Sequence, residues 1–364
     1  MATTPELPAT HPRTTVAAKT SLEAVYNWNY EPEIDQLRAL YANALERQWI
    51  ALRDLDWQQE IDHDAFSRTF SLAGVPIQQT AFWESLDPDL RWEVSRRSAA
   101  FMLSNFLHGE QGAMMVAGQL VNAVPHMDGK FYAATQTLDE ARHVEVFAAY
   151  IQKLDEVYPI PPALKMLLDN ILGAEDWKKK AVGMQVVAEG IALYSFRDMR
   201  NQTREPLLKQ LLTYVSRDEA RHTGYGVKYL AAVVPTLDER ERHELEDFAF
   251  EAARLLIDSR VANSVRASVF QLWEQAGVDV QAALQLIMKD RERVLAELQR
   301  TGGRVGPIRG FVIPTLHSIG LFSARIRGHF EDMFQANVGA QAMRRIGDIP
   351  DLPEDLDAWV NEGV

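Results

Sequence analysis

The chain has 364 residues, no cysteine and a net charge of −13 at pH 7. The absence of cysteine excludes disulfides, thiolate-bound zinc, iron–sulfur clusters and a thiol nucleophile. The acidic balance argues against nucleic acid and against an anionic membrane as partners. No apolar run approaches the ~18 residues of a membrane-spanning helix. We therefore expect a cytoplasmic protein, with 47% hydrophobic residues to build its core.

Apolar residues recur at helical spacing in most long segments, which predicts an all-α protein. The polar residues 1–22 contain no signal peptide and are expected to be a disordered arm. Residues 23–346 are interpreted as a single domain with a core at about 88–234, and 347–364 as an acidic tail. The predicted helices span 31–53, a long segment ending near 124, 130–157, 163–173, 174–201, 206–233, 237–275, 277–301 and 318–346.

A short sequence occurs twice in the predicted core. Asp139-Glu140-Ala141-Arg142-His143 returns 79 residues later as Asp218-Glu219-Ala220-Arg221-His222. At the same offset, Glu110 is matched by Glu189. The chain thus contains two copies of one pattern, in which a lone Glu is followed 30 residues later by Glu-x-x-His.

The spacing of this pattern suits two antiparallel helical hairpins. Glu110 and Glu140 each lie 15 residues from position 125, where Pro125 and Gly129 mark a turn. Glu189 and Glu219 are likewise equidistant from position 204. Each pair of carboxylates therefore lies at one depth of its hairpin. Within each Glu-x-x-His motif the two side chains share a helix face, because residues three apart are neighbours.

Four buried carboxylates would be very costly without cations. Two divalent metals cancel their charge, and oxygen and imidazole ligands suit iron or manganese. The pattern is that of a dinuclear carboxylate centre in a four-helix bundle. The predicted metal ligands are Glu110, Glu140, His143, Glu189, Glu219 and His222.

Further residues are expected around these ligands. Asp139 and Asp218 are natural acceptors for the ring N–H groups of ligating histidines, in their own helix or across the bundle. Arg142 and Arg221 would neutralise those aspartates. Side chains within about a turn of the ligands are candidates for a substrate pocket wall: Phe106, Leu107, Met114, Phe147, Leu193 and Tyr194.

These motifs resemble the ferritin-like superfamily of di-iron carboxylate proteins. The resemblance implies a ferritin-like four-helix bundle with additional flanking helices. The segments 189–196 and 216–222, with Gln48-Trp49, are similar to the small subunit of class I ribonucleotide reductase and its oxidase-like relatives. The paired Asp-Glu-x-Arg-His motifs with Gly109-Glu110 resemble the hydroxylase subunits of bacterial multicomponent monooxygenases. Arylamine N-oxygenases share the same core.

The chain also departs from each of these groups. Phe147 stands where reductase small subunits usually carry a radical Tyr, although a subgroup with a mixed manganese/iron centre also has Phe there. Val215 stands where the N-oxygenases carry a third His. Leu193 replaces the Thr of the monooxygenases. Met184 and Ala113 occupy the positions of a Tyr–Val cross-link in the oxidase-like relatives, so we expect no cross-link.

The resemblance implies an O2-activating, non-haem di-iron oxygenase or oxidase that acts on a small organic substrate. Its cofactor would be two Fe ions, or one Mn and one Fe. Electrons would come from a separate ferredoxin-like or flavin reductase, because the chain has no nucleotide-binding fingerprint. A homodimer is expected. The first alternative is a ribonucleotide reductase small-subunit-like radical generator, and the second is a metal-binding or storage protein.

Overall fold

The computed structural model of the protein is helical, and the residues it describes contain no β-strand. It describes residues 17, 20, 22–67, 77–257, 259–300, 306–337, 346, 347, 349, 351–353 and 355–361. Most of the predicted N-terminal arm therefore lies outside the described residues. The all-α class predicted from the sequence is confirmed.

The helices from α4 to α11 follow one another with short connections. In chain order the α-helices are α1 Asp35–Glu46, α2 Ala51–Asp54, α3 His63–Ser67, α4 Ala81–Ser85, α5 Pro88–Ala123, α6 Met127–Leu154, α7 Pro162–Gly173, α8 Trp177–Ala181, α9 Glu189–Gln202, α10 Pro206–Val233, α11 Glu239–Ile257, α12 Ser259–Gln275, α13 Val280–Arg300, α14 Ile313–Ser318, α15 Ala324–Asn337 and α16 Leu356–Asn361.

Two hairpins form the centre of the molecule. Helices α5 and α6 pack against each other along their length, and α9 packs against α10. The turns fall at Val124–His126 and Thr203–Glu205, close to the centres expected from the spacing of the ligands. The long core helices therefore place Glu110 opposite Glu140, and Glu189 opposite Glu219.

Local sequence determines where two of these helices begin. Asp87 accepts a hydrogen bond from the backbone N–H of Leu90, and Pro88 occupies the first turn of α5. Glu205 accepts from the N–H groups of Leu207 and Leu208 at the start of α10, again with Pro in the first turn. These caps satisfy N–H groups that have no partner within the helix.

A π-helix at Val182–Ala188 joins α8 to α9, so the chain is continuously helical from Trp177 to Gln202. The wider π-turns shift the register of the side chains just before Glu189. Such segments occur frequently at functional sites. A second π-helical segment, Ile308–Val312, precedes α14 and packs against α9.

Two predicted outer helices differ from the structure. The predicted helix at 318–346 begins later than expected, because α14 ends at Ser318 and α15 begins at Ala324, and residues 338–345 of the prediction lie outside the described residues. Gly320 lies between them with a φ of +79°, which a side chain disfavours and glycine permits. The predicted helix at 31–53 is also divided, into α1 and α2, by a turn at 47–50.

The acidic tail is partly ordered against the bundle. Helix α16 packs on α10, and Leu356 is buried beside Leu193, Ala220 and Phe311. Arg47 also forms an ion pair with Asp357, with an N–O distance of 2.9 Å. Among the described residues, no helix is both long enough and apolar enough to cross a membrane.

Candidate metal centre

The structure brings the six predicted ligands together inside the bundle. All six are at least 96% buried. Their ligand atoms form two groups, and in each group these atoms lie within 4.8 Å of one another. The groups are Glu110, Glu140, His143 and Glu219, and Glu140, Glu189, Glu219 and His222. Because Glu140 and Glu219 belong to both groups, they could be shared by two ions, whereas each lone Glu and each His would serve one.

The ring nitrogen Nδ1 of His143 faces three carboxylates at once. It lies 3.0 Å from Glu219 Oε1, 3.2 Å from Glu110 Oε2 and 3.3 Å from Glu140 Oε2. One ring nitrogen cannot form three good hydrogen bonds. Ligands about 2.1 Å from a metal in octahedral geometry lie about 3 Å from one another, so this convergence has the spacing of a coordination sphere.

His222 has the corresponding environment in the second group. Its Nδ1 lies 3.0 Å from Glu140 Oε1 and 3.4 Å from Glu219 Oε2. The two imidazole rings are 5.7 Å apart between their centroids. Both histidines therefore present Nδ1 to the shared carboxylates and turn Nε2 away from them.

The pKa shifts of the clustered residues show that burying them without cations is electrostatically unfavourable. Burial raises the pKa of Glu110 well above its usual range, and repulsion from Glu219 adds to the shift. Burial also raises the pKa of Glu189, which Glu140 further repels. Burial disfavours the charged ring of His143, but the surrounding carboxylates outweigh it and raise its pKa. These shifts favour proton binding by Glu110, Glu189 and His143 in the metal-free cluster, whereas the pKa values of the shared Glu140 and Glu219 are lowered, because the neighbouring histidines outweigh their burial.

Several buried polar atoms of the cluster also lack hydrogen-bond partners within the described part of the chain. These atoms are Glu140 Oε2, both carboxylate oxygens of Glu219 and His222 Nδ1. Orphaned acceptors at full burial are costly. Two divalent cations would satisfy them and would balance four carboxylate charges, so the donor set fits the dinuclear centre.

The two predicted aspartates orient the histidines across the bundle. Nε2 of His143 lies 3.1 Å from Asp218 Oδ2, and Nε2 of His222 lies 3.4 Å from Asp139 Oδ2. Each aspartate thus serves the histidine of the other hairpin. An acceptor at Nε2 keeps the proton there and leaves the Nδ1 lone pair free for a metal.

The predicted arginines complete this outer layer. Arg142 hydrogen-bonds Asp139 in its own helix, and Arg221 does the same with Asp218. Arg142 also reaches Asp218 at 3.0 Å. The hydrogen bond from His143, with the positive charges of Arg221 and Arg142, outweighs burial and lowers the pKa of Asp218, which favours its ionised form.

Two residues outside the duplicated pattern also bind these aspartates. Gln48 Nε2 donates to Asp139 Oδ1 at 3.0 Å, and Trp49 Nε1 donates to Asp218 Oδ2 at 2.8 Å. The guanidinium of Arg142 lies 4.7 Å from the centroid of the Trp49 ring. The sequence linked this dipeptide to reductase-like proteins but did not predict these contacts.

A pair of buried amides, missed by the sequence analysis, lies on one side of the cluster. Gln136 Nε2 is 2.9 Å from Glu140 Oε1, 3.1 Å from Gln185 Oε1 and 3.3 Å from Glu189 Oε1. Gln185 belongs to the π-helix. Gly226 makes room for it, because a Cβ at position 226 would lie 2.3 Å from the Cβ of Gln185. The only signal in the sequence was that both glutamines stand four residues before a predicted ligand.

A cavity of about 230 Å³ reaches the cluster from the side of the two lone glutamates. Its wall includes both Glu110 and Glu189, together with Ala113, Met184 and Ala192. Leucines of α7 and single residues of α11 and α12 close its outer side. The cavity is therefore largely apolar but is in contact with one ligand of each metal position.

The structure places most of the residues proposed for a pocket wall away from this cavity. Of the six proposed residues, Phe106 lines this cavity. Leu107 and Phe147 instead belong to a hydrophobic cluster inside the bundle. Leu193 packs with Tyr194 near α16. Met114 is half-buried on α5 and does not line the cavity. Proximity in sequence selected residues that face the bundle interior, whereas the cavity lies between the lone-Glu helices and α7.

The departures at positions 147 and 215 are both apolar in the structure. Phe147 is fully buried and stacks near Phe106, with ring centroids 6.3 Å apart. Val215 is also fully buried, in the same hydrophobic cluster. Neither position provides a phenol or an additional imidazole.

Several solved structures are similar to this one. A variant of an R2-like ligand-binding oxidase, anaerobically reconstituted with Mn/Fe, is 19% identical, with a TM-score of 0.46 over 73% of this chain and 94% of that chain. The same kind of oxidase with an aerobically reconstituted metal cofactor, after photoconversion, is 18% identical, with a TM-score of 0.45 over 73% of this chain and 93% of that chain. No curated protein matches the chain at a significant level.

The sequence profile of one protein family matches residues 32–305, about three quarters of the chain. The family is described as p-aminobenzoate N-oxygenase AurF. The match covers all four core helices and every predicted ligand. The chain therefore belongs to the p-aminobenzoate N-oxygenase AurF family: it is a ferritin-like oxidoreductase, an O2-activating oxygenase or oxidase with a dinuclear iron or manganese/iron centre.

Proposed function

We propose that this chain oxidises the nitrogen of a small, uncharged aromatic amine bound in the cavity beside Glu110 and Glu189. We also propose that the metal ligands are the six residues predicted from the sequence: Glu110, Glu140, His143, Glu189, Glu219 and His222. The observation that carries the proposal is the position of this cavity. Its wall is apolar and includes one predicted ligand of each metal position. A substrate held there would lie next to the site where O2 is activated.

The size of the cavity favours a single substituted ring. An apolar cavity of about 150 Å³ is sufficient to bind benzene, and this one measures about 230 Å³. The leucines of α7, with Ala113 and Ala192, would exclude water from the bound ring. A cavity of this size and polarity supports an aromatic substrate rather than a long or highly polar one.

Asn105 provides a further polar group on the cavity wall. It lines the cavity, and its buried Oδ1 has no hydrogen-bond partner within the described residues. Five residues of α-helix separate it from Glu110, about 7–8 Å along the helix axis. A ring with the amine near the metals and a hydrogen-bonding substituent in the para position would span that distance.

The residues that line the cavity also support a preference for substrates without a negative charge. Among the described residues that form the wall, none is Lys or Arg, while two are Glu. A carboxylate buried there would lack a cationic partner, which costs several kcal/mol. We therefore propose neutral para-substituted anilines as better substrates than p-aminobenzoate itself.

The protein residues have distinct roles in this proposal. When bound, the metal pair supplies the activation of O2 and the oxidising power. Asp139 and Asp218 hold the histidine tautomers, and Gln136 donates hydrogen bonds to Glu140 and Glu189. The cavity wall orients the substrate amine toward the centre. Electrons would be delivered by a ferredoxin-like or flavin reductase, and we propose a cytoplasmic homodimer.

The experiment loads the protein anaerobically with Fe(II), counts the metal ions, and then adds O2 with para-substituted anilines. We expect about two ions per chain, O2 consumption and an N-oxygenated product. Asn105→Leu should raise KM with little change in kcat, because Asn105 would bind substrate rather than metal. Asn122→Leu, exposed on the same helix, is the control. Absence of metal binding or of O2 consumption would overturn the proposal.

A second candidate function, a radical generator for a larger partner, is favoured by one observation. The hydrogen bond from Trp49 to Asp218, and the contact of Asp218 with His143, connect an indole to the cluster. Phe147 weighs against it, because no phenol stands at that position. A stable radical in the EPR spectrum, with ribonucleotide reduction after addition of a large subunit, would favour this function over amine oxidation.

A further inference from the structure

Four aromatic rings form a contiguous series from the interior toward the surface. Tyr132 stacks on Tyr225 with centroids 4.7 Å apart, and Tyr225 lies 5.6 Å from Tyr229. Tyr229 in turn stacks on Trp177 at 4.7 Å. The three tyrosines are at most 1% exposed, whereas Trp177 is half-buried. The series therefore connects the closed interior to a ring that reaches solvent.

The inner end of the series lies beside the metal centre. Tyr225 is three residues after His222 on α10, on the same helix face and about one turn away. Tyr132 stands two turns before Glu140 on α6. The charges of His222 and Arg221 act on its hydroxyl. Two of the four rings thus adjoin the Glu189 and His222 side of the centre.

The hydroxyl groups differ in a way that matters for oxidation. Within the described residues, the hydroxyl of Tyr132 has no hydrogen-bond partner. Tyr225 donates to the backbone carbonyl of Gly129 at 3.2 Å. The hydroxyl of Tyr229 lies 2.9 Å from Nδ1 of His126. An imidazole can accept the proton that a tyrosine loses on oxidation, so Tyr229 has a base in place.

The internal duplication provides a comparison within the same chain. At an offset of 79 residues, the counterpart of Tyr132 is Leu211 and that of Tyr225 is Val146. Tyr229 alone has an aromatic counterpart, Tyr150, whose hydroxyl donates to Glu205 at 2.7 Å. The ring series is thus present on one side of the centre and interrupted on the other.

We propose that these four rings are a one-electron relay between the metal centre and an external one-electron reductant. The proposal rests on the O2-dependent oxidation proposed above. Reduction of O2 to two waters takes four electrons and four protons. Two of these electrons would come from a reduced metal pair held by the six proposed ligands, and the other two normally come from a substrate. Without substrate, the remaining two electrons pass singly along the rings, each ring being oxidised by its inner neighbour and reduced by its outer one.

Each electron that a ring passes inward is replaced by one from the next ring outward, so no ring is changed overall. Tyr132 has no hydrogen-bond partner among the described residues and Tyr225 donates to a carbonyl, so both pass the electron and keep the phenolic proton. Tyr229 loses one electron inward while its phenolic proton moves to His126, and it regains both when Trp177 is oxidised in turn. The external one-electron reductant then restores Trp177. Close stacking favours this route because electron transfer slows steeply with distance. In the absence of reductant, the oxidation remains at Trp177, which solvent reaches.

The test uses the full-length protein, loaded with Fe(II), exposed to O2 without substrate or reductant. Peptide mass spectrometry then locates oxidised aromatic residues, and rapid-freeze EPR detects transient radicals. We expect oxidation at Trp177, falling severalfold in Tyr225→Phe and Tyr229→Phe. Tyr150→Phe is the matched control, because it removes a buried, hydrogen-bonded phenol at the duplicated position, and should leave Trp177 oxidation unchanged.

The outcomes separate the relay from the proposed function. If the wild-type protein consumes O2 but Trp177 remains unmodified, or if oxidation appears at Trp49 instead, the relay is overturned while the oxygenase function stands. If Tyr225→Phe and Tyr150→Phe reduce Trp177 oxidation equally, the relay is also overturned. If O2 is not consumed by any of these proteins, the proposed function fails first and the relay with it.

Discussion

The two halves of the duplicated centre share their charged residues and differ in what surrounds them. The Asp, Glu, Arg and His residues of one half recur at an offset of 79 in the other. At the same offset, Gln136 corresponds to Val215, Gln185 to Phe106 and Gly226 to Phe147. One side of the centre therefore has two buried amides, one from each hairpin, and the other side has a packed aromatic pair.

The difference follows from packing at one pair of positions. Gly226 leaves the space in which Gln185 sits, so the amide oxygen of Gln185 accepts a hydrogen bond from Gln136, which also donates to the lone Glu189. In the other half, Phe147 fills the equivalent space against Phe106. The six proposed ligands recur in both halves, whereas the residues around them differ. The two proposed metal positions would therefore be chemically inequivalent.

The largest effects are expected where the two halves meet. Glu140→Ala or Glu219→Ala should lose both metal ions, because each residue belongs to both ligand groups. Activity should fall by more than the ~10–100-fold typical of outer hydrogen-bond partners. Metal analysis after anaerobic Fe(II) loading measures this. Retention of two ions in either variant would contradict the bridging assignment.

The lone glutamates test whether the halves act separately. Glu110→Ala and Glu189→Ala should each retain about one ion per chain, since each removes a ligand from a single group. Elemental analysis counts the metal ions per chain, and the absorption spectrum of a cobalt-substituted sample shows which of the two metal positions has lost its ion. Glu93→Ala, on the same helix as Glu110 and paired with Arg96, is the control and should bind both ions.

The aspartates should have an intermediate and symmetrical effect. Asp139→Asn and Asp218→Asn each leave one histidine without its carboxylate acceptor, and should weaken metal binding about 10–100-fold. Competition with a chelator measures the affinities. Markedly unequal losses would indicate that Trp49 or Gln48 compensates in one half.

Acidification should weaken metal binding in both halves. The pKa values of His143, His222, Glu110 and Glu189 are raised in the metal-free protein. Metals must displace the protons that these groups hold, so affinity should fall as pH decreases, by about tenfold or more per pH unit where one or more protons are released. Competition with a chelator between pH 6 and 8 measures whether the metal affinity falls as the pH decreases. An affinity independent of pH would contradict it.

The smallest effect is expected at the glycine that distinguishes the halves. Gly226→Ala places a Cβ against Gln185 and should destabilise the protein by about 1–3 kcal/mol through overpacking. It should also disturb the hydrogen bond from Gln136. Gly118→Ala is the control, because a Cβ at position 118 meets nothing within 4 Å. Thermal unfolding compares the two; an equally stable Gly226→Ala would contradict the close approach.

The sequence by itself determined the helical class and the six residues that converge. Both depend on local regularities: helical periodicity, turns at known positions and a motif repeated at one offset. Asp139 and Asp218 were also predictable as partners of the histidines, because they precede each Glu-x-x-His motif. The assignment of the six residues as metal ligands remains a prediction that metal analysis must test.

Only the tertiary structure decided what surrounds the ligands. Trp49 and Asp218 are 169 positions apart, and Gln48 and Asp139 are 91 apart, so no local pattern relates them. The cavity depends on α7 packing against the lone-Glu helices, and the aromatic series joins rings from three separate helices. Periodicity determines which face of a helix is buried, but long-range packing determines which side chains meet there.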